Sequence, residues 1–428
     1  MRKCFLVLTI VWGFVSPAAA SAQSGPRNCT TLLQNMFVRD VLDEYYLWYR
    51  ELPRANPANY PSPQAYLEAV RYRPLDDSFS YITSRAANEA FYGDSQFVGF
   101  GFSTQVTDRE MRVLQVFPES PAAESGMARG DRILEVDGRS VGDLIDDGTI
   151  NSAFGASTPG VTSTILARSR DGEERRSTLT KRVVTIPTVS LTRTFQVDGR
   201  TVGYLLFRNF VEPSTAALNE AFAALREAGA TELVVDLRYN GGGLVDVAVH
   251  LAGLIGGVPT QGRVFATYQH NDRNTSLDTT LRFPDATPQT LNLSRLVVIT
   301  TRGSASASEL LINSLRPHLP VVVIGDATYG KPVGQYGFTF CDKVLAPVAF
   351  ALVNAEGNGD FFGGIPPDCR APDDVEHDLG SADEASLSEA LHFIATGQCR
   401  AAATSRALRI TESRRPRAQG WDVLINAH

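Results

Sequence analysis

The residues of this chain whose types and spacing could do chemistry are a serine at a strand-to-helix turn, Ser306, and a lysine twenty-five residues later, Lys331. Ser306 sits in Thr301-Arg-Gly-Ser-Ala-Ser-Ala-Ser-Glu-Leu310, and Lys331 in Tyr329-Gly-Lys-Pro-Val-Gly-Gln335. A serine hydroxyl becomes a nucleophile when a neighbouring base takes its proton, and a lysine can be that base only when neutral. Its ordinary pKa of about 10.4 must fall by several units, which burial in a dry site achieves. No charge partner stands in the immediate sequence neighbourhood of Lys331.

The apolar run Leu296-Val-Val-Ile-Thr300 predicts a buried strand, and Leu310, Leu311 and Leu315 ahead of Pro317 predict a short helix. The serines therefore fall at a helix start, where unpaired N–H groups and a partial positive charge suit an oxyanion. Ser306-Ala-Ser-Glu309 also satisfies the S-x-x-E capping box, in which serine and glutamate only tie off helix donors. Taken alone, capping is the simpler account. The balance shifts with a second apolar strand, Pro320-Val-Val-Val-Ile-Gly325, whose following loop delivers Lys331.

Read together, the G-S-A-S-A-S-E of residues 303–309 and the G-K of Gly330 and Lys331 resemble the motif pair of the C-terminal processing, or tail-specific, serine proteases. The resemblance implies Ser306 as nucleophile, Lys331 as base and Gln335 as the group that orients the lysine. Pro332 stands where that family usually has glycine, which leaves the triad intact and puts the shape of the lysine loop in question. Asp236-Leu-Arg-Tyr-Asn-Gly-Gly-Gly243 is similar to the family's D-L-R-x-N-x-G-G, which implies the amides of Gly242 and Ala307 as the oxyanion hole. In isolation it reads as a generic strand-to-helix turn.

Upstream, Val98-Gly-Phe-Gly-Phe102 resembles the carboxylate-binding loop of a PDZ domain, where backbone N–H groups hold a peptide's C-terminus. The implied binding residues are Gly99, Phe100, Gly101 and Phe102. Val113 to Phe117, Ser120 to Gly126 and Ala128 to Gly138 continue the strand, capped helix and strand of such a module. Leu75-Asp-Asp-Ser-Phe-Ser-Tyr81 is similar to the stretch that precedes the PDZ domain in the same family, with a capped helix end as the plain alternative. Helical spacing from Leu33 to Tyr45 and Pro-rich turns from Leu52 to Pro63 predict a small helical domain before it.

Strand, helix, strand, helix from Val202 onward predicts a layered α/β domain. The expected whole is an α/β multidomain chain: signal peptide 1–22, N-terminal helical domain 23–95, β-rich PDZ domain 96–185, catalytic domain 186–400 and tail 401–428. For the catalytic part, the resemblance implies the ββα spiral core shared with the Clp protease and crotonase superfamily.

Arg2 and Lys3 before an apolar segment, then Ala18-Ala-Ala-Ser-Ala22, predict an exported protein, periplasmic or secreted. Loss of that segment takes the net charge from −7 to −9, which disfavours nucleic acid as a partner. No later run reaches the roughly 20 apolar residues of a spanning helix. Cys29, Cys341, Cys369 and Cys399 remain, an even number that predicts two disulfides. Of three connectivities, the expected one is Cys341–Cys369, closing a local loop, with Cys29–Cys399 tying the ends. His318 lies at the far end of the helix that Ser306 begins, which disfavours a Ser-His pair. Neither C-x-x-C spacing nor the Asn354 to Asp360 loop supports a metal, and no cofactor is expected. The tail, rich in Arg, Ala and Ser, reads as partly disordered.

The resemblance thus implies peptide hydrolysis near protein C-termini, with substrates offering free C-termini and a homo-oligomer left open. The alternatives are a non-catalytic ligand- or peptide-binding protein with the same fold, and a PDZ-centred adaptor.

Overall fold

A computed structural model describes residues 25–400, apart from residues 27 and 108. The expected signal segment 1–22 and tail 401–428 lie outside the described residues.

The central sheet runs in the order Val189–Val197, Arg200–Phe207, Glu232–Asp236, Leu296–Thr300, Val321–Gly325, Cys369–Arg370. Its first pair is antiparallel and the others are parallel. Side chains alternate between its faces, so Leu205, Phe207, Leu233 and Val235 meet the helices Ser214–Glu227, Val245–Gly256 and Ala307–Leu315. Tyr204, Leu206, Val234 and Val297 join Leu387, Ala390 and Ile394 of the helix Ala385–Thr396 on the other face. Burial on both faces explains why these strands read as continuous apolar runs. Because three neighbouring strands are parallel, the chain leaves Asp236, Thr300 and Gly325 at the same end of the sheet. Ser306 and Lys331 follow two of those exits.

A four-stranded antiparallel sheet, Thr280–Arg282, Val264–His270, Val348–Val353 and Val333–Gln335, carries Gln335. The N-terminal helices Thr31–Tyr45 and Pro63–Val70 share a core with this half: Phe37, Val41, Leu42 and Leu67 lie in one cluster with Phe338, Phe340 and Val348. The strand Tyr81–Ser84 seals the join by pairing with Lys343–Ala346.

The PDZ portion is a sheet in the order Phe102–Thr107, Glu110–Val116, Arg132–Val136, Thr162–Arg168, Glu174–Thr180, around Phe100, Phe102, Val113, Ile133 and Leu144. A ribbon of Gln96–Gly99 against Arg182–Thr185 brings its two ends together.

Two disulfides are present, in a pairing different from the expected one. Cys29 is bonded to Cys341, and Cys369 to Cys399. Docking decides the matter: the N-terminal helix lies against Phe338 and Phe340, which brings Cys29 onto the turn at Cys341. The helix Ala385–Thr396 covers the sheet whose edge is Cys369–Arg370, which returns Cys399 to that edge. Two local features depart from the simplest reading of their residues. Ser214 is the first residue of its helix, not its cap, and its hydroxyl donates to the Asn209 carbonyl at 2.7 Å. The run Leu345 to Val353 is split between two strands, Lys343–Ala346 and Val348–Val353, at Pro347, which has no N–H for a ladder.

Candidate active site

Three serines crowd the turn after Leu296–Thr300, and their partners separate them. Ser304 Oγ donates to the Leu237 carbonyl at 2.7 Å, and Ser308 Oγ to the Asn240 carbonyl at 3.0 Å; both side chains are fully buried. They staple the turn to the Asp236–Gly243 loop, aided by Ala305 N–H donating to the Asn240 carbonyl at 3.0 Å. Ser306 alone of the three is half-buried. Its backbone has φ +56° and ψ −112°, a conformation that costs a non-glycine residue on the order of 1–3 kcal/mol and gathers at functional sites.

Lys331 is 7 % exposed. Burial is the largest influence on its ammonium and brings its pKa down to about 8, against the upward pull of Asp76 and Glu309. Its Nζ donates to Gln335 Oε1 at 2.7 Å. The Gln335 amide is oriented by its other end, since Nε2 donates to the Phe79 carbonyl at 2.6 Å. Phe79 belongs to the Leu75–Tyr81 stretch, and Asp76 holds that stretch by accepting from the N–H groups of Phe79 and Ser80, both at 2.9 Å. Ser78 Oγ meets the Tyr329 hydroxyl at 3.0 Å, two residues before the lysine. The N-terminal region thus builds one wall of the lysine site, a role its sequence did not signal.

The Ser306 turn and the lysine loop meet on Glu309, whose carboxylate accepts Ser306 N–H at 2.9 Å and Lys331 N–H at 2.8 Å. The spacing of Glu309 from Ser306 signalled only a helix cap. No hydrogen bond joins Lys331 Nζ to Ser306 in this structure; such bonds often tighten only with substrate bound.

Ala307, as the first residue of its helix, has an N–H without an intrahelical partner. Gly242 lies against it: a Cβ there would stand 2.7 Å from Ser306 Cβ and 2.8 Å from Ala307 N, so only glycine fits, at φ +100°. Its N–H is engaged with Asn240 Oδ1 at 2.9 Å, so a direct part in an oxyanion hole requires that bond to be exchanged. His318 Nε2 bonds the Val264 carbonyl at 2.8 Å and takes no part here.

In the PDZ portion, Phe100 and Phe102 bury their side chains completely, so the Gly99–Phe102 loop offers backbone. Gly101, at φ +91°, is held against Ser120, where a Cβ would stand 2.1 Å from that side chain. The strand Phe102–Thr107 stands at the end of its sheet, the position to which an extended peptide adds. The PDZ portion meets the α/β half through Arg129, which donates to Asp373 at 2.9 Å and to the Tyr239 hydroxyl at 2.8 Å.

Among the described residues, no helix is long and apolar enough to cross a membrane. Two disulfides accord with an exported protein.

Comparison with known proteins matches residues 201–371 to peptidase family S41, residues 34–81 to the peptidase S41 N-terminal domain and residues 112–150 to a PDZ domain. A protein of Staphylococcus haemolyticus (strain JCSC1435), described as a probable CtpA-like serine protease, is 26% identical over 303 residues, 70% of this chain and 58% of that protein. Its counterpart in Staphylococcus aureus (strain COL) is 26% identical over 301 residues, covering 69% and 57%. The chain therefore spans somewhat over half the length of these relatives. In fold, it is similar to an S41-assigned crystal structure from Bacteroides fragilis NCTC 9343, with a TM-score of 0.67 at 24% identity over 85% of this chain and 97% of that one. It also resembles a photosystem II D1 C-terminal processing protease, with a TM-score of 0.51 at 22% identity, covering 81% and 94%. An S41 N-terminal domain, a PDZ domain and an S41 peptidase domain are thus matched in that order along the chain, the domain set of peptidase family S41.

Proposed function

We propose that this protein is a serine endopeptidase of the C-terminal processing type, cutting peptide bonds near protein C-termini through Ser306 and Lys331. The observation that carries the reading is a buried lysine, its pKa lowered to about 8 and its Nζ held by Gln335, on a loop clasped to the turn of Ser306. At pH 7 about one molecule in ten has this lysine neutral. Ser306 Oγ attacks the scissile carbonyl and its proton passes to the Nζ lone pair. The lysine then protonates the leaving amine, and water releases the acyl-enzyme by the same route. Because Gln335 presents an acceptor, it engages a lysine N–H and leaves the lone pair to face the serine. The Ala307 amide stabilises the oxyanion, joined by Gly242 once the Asn240 bond is exchanged.

The PDZ domain, taken as residues 96–185 between a 23–95 helical domain and a 186–400 catalytic domain, captures or gates the substrate's tail through the Gly99–Phe102 backbone. The site of action is the periplasm or the exterior.

The test is cleavage of an unstructured protein with a free, apolar C-terminus by wild type, Ser306→Ala and Lys331→Ala at matched folding. Both variants are expected to lose at least about 10³-fold in kcat/KM. Unchanged cleavage by either variant contradicts the dyad.

A further inference from the structure

We propose that Glu309 is a positioning residue for this reaction: a buried carboxylate clamp that sets the nucleophile turn and the lysine loop against one another. The proposal rests on the Ser306–Lys331 reading above. A capping glutamate needs one bond, to the N–H of the residue just ahead of its helix. Glu309 makes that bond and three more. Oε2 accepts from Ser306 N–H at 2.9 Å and Lys331 N–H at 2.8 Å, and Oε1 from Gly330 N–H at 2.6 Å and the Thr328 hydroxyl at 2.5 Å. Three of the four donors lie on the lysine loop, where a helix cap has no business. The side chain is wholly out of solvent.

The four donors also fix the charge state. Each carboxylate oxygen receives two hydrogens, so the ionised form satisfies every partner, and a proton on either oxygen would face an N–H or O–H. Burial is the largest influence and leaves the Glu309 pKa above its ordinary value, with the four hydrogen bonds pulling against it.

Two consequences bear on the chemistry. Ser306 spends its own amide on Glu309, which holds it in its positive-φ conformation and turns that amide away from oxyanion duty. Lys331 is pinned at both ends, its N–H by Glu309 and its Nζ by Gln335. A fixed negative charge also stands behind the base. It and Asp76 are the two charges that raise the lysine's pKa against burial, so removing one of them should make the lysine easier to deprotonate.

The experiment compares wild type, Ser306→Ala, Glu309→Gln and Glu309→Asp, as full mature chains, in kcat and KM against pH on an unstructured polypeptide with a free apolar C-terminus. Glu309→Gln keeps the shape and removes the charge. It is expected to lower kcat by about 10²-fold with KM within about threefold, and to move the acid limb of the pH profile below that of wild type. Glu309→Asp keeps the charge but is one methylene too short to reach both loops. It should lose at least about tenfold in kcat while its acid limb stays at the wild-type position. If Glu309→Gln does not fold, the aspartate variant carries the test. A wild-type kcat in either folded variant, or a fall in kcat for Glu309→Gln with the acid limb unmoved, makes Glu309 a helix cap and overturns the proposal. Wild type that cuts nothing, or a Ser306→Ala variant that cuts like wild type, overturns the dyad reading and this proposal with it.

Discussion

Two parts of the molecule hold loops in place, and they do so with different physics. Around Glu309, backbone N–H groups and one hydroxyl converge on a single carboxylate that no solvent reaches. At the PDZ junction, a strap following Cys369–Arg370 grips three arginines instead: Arg129 pairs with Asp373, Arg170 with Asp378 and Arg112 with Glu376. Only the first of those pairs is well buried; Asp378 and Glu376 are 74 % and 56 % exposed. Short bonds to a dry carboxylate are insensitive to salt, whereas exposed ion pairs are screened. The lysine cradle is therefore the fixed part of the machine and the PDZ junction the adjustable one. Each has its own disulfide, Cys29–Cys341 beside the cradle and Cys369–Cys399 at the root of the strap.

The comparison can be broken first at the disulfides. The cradle bond spans 312 residues and the strap bond 30, so loop-closure entropy gives the first the larger effect. Replacing Cys29 and Cys341 by alanine should cost about 5 kcal/mol, and replacing Cys369 and Cys399 about 3.5 kcal/mol, in denaturant unfolding. The reverse order would mean that the N-terminal helix is held by packing alone.

Arg129→Met comes next, at about 3 kcal/mol, because it leaves Asp373 and the Tyr239 hydroxyl short of a buried partner. A cost below about 1 kcal/mol would place the junction's strength elsewhere.

Lys331→Met should go the other way. The folded pKa of Lys331, about 8, lies below its ordinary 10.5, so the unfolded chain binds the extra proton between those values. The cost of burying the ammonium is thus full below pH 8, shrinks as pH rises to 10.5 and vanishes above it. Removing the ammonium is expected to stabilise the variant by about 2 kcal/mol at pH 7, after the loss of the Gln335 bond; above pH 11 that gain is gone and only the lost bond, about 1 kcal/mol of destabilisation, remains. Melting curves across that range would show it, and a destabilised variant at pH 7 would contradict the buried-base account.

The smallest effect belongs to Arg112→Ala. Its partner Glu376 is mostly in water, so the loss should stay below about 1 kcal/mol and disappear in 1 M salt.

That the Ser306 turn, Lys331 and Gln335 come together was legible because each sits in a short local motif beside an apolar strand. The layered α/β core was legible for a similar reason, since strands buried on both faces leave unbroken apolar runs such as Leu296 to Thr300. Contacts across the sequence left no such mark. The choice of Ser306 over Ser304 and Ser308 depends on which serines the Asp236–Gly243 loop covers. The Phe79 carbonyl that orients Gln335 comes from 256 residues away, through a main-chain atom that any residue type would supply. The cysteine pairing failed because nearness along the chain was taken as nearness in space, whereas docking of the first and last helices set it. Glu309 was visible as a cap and hidden as a clamp, because its second set of partners, two backbone N–H groups and one hydroxyl, lies on a loop about twenty residues further along the chain.

The central claim is that Lys331 acts as a neutral base beside Ser306. The most direct measurement is kcat/KM against pH from 6 to 10 on an unstructured substrate with a free C-terminus. The account predicts activity that rises tenfold per pH unit at the acid end and levels off near pH 8, where Lys331 loses its proton. A limb centred near pH 6.5, as a histidine would give, or a flat profile through pH 8, would contradict it.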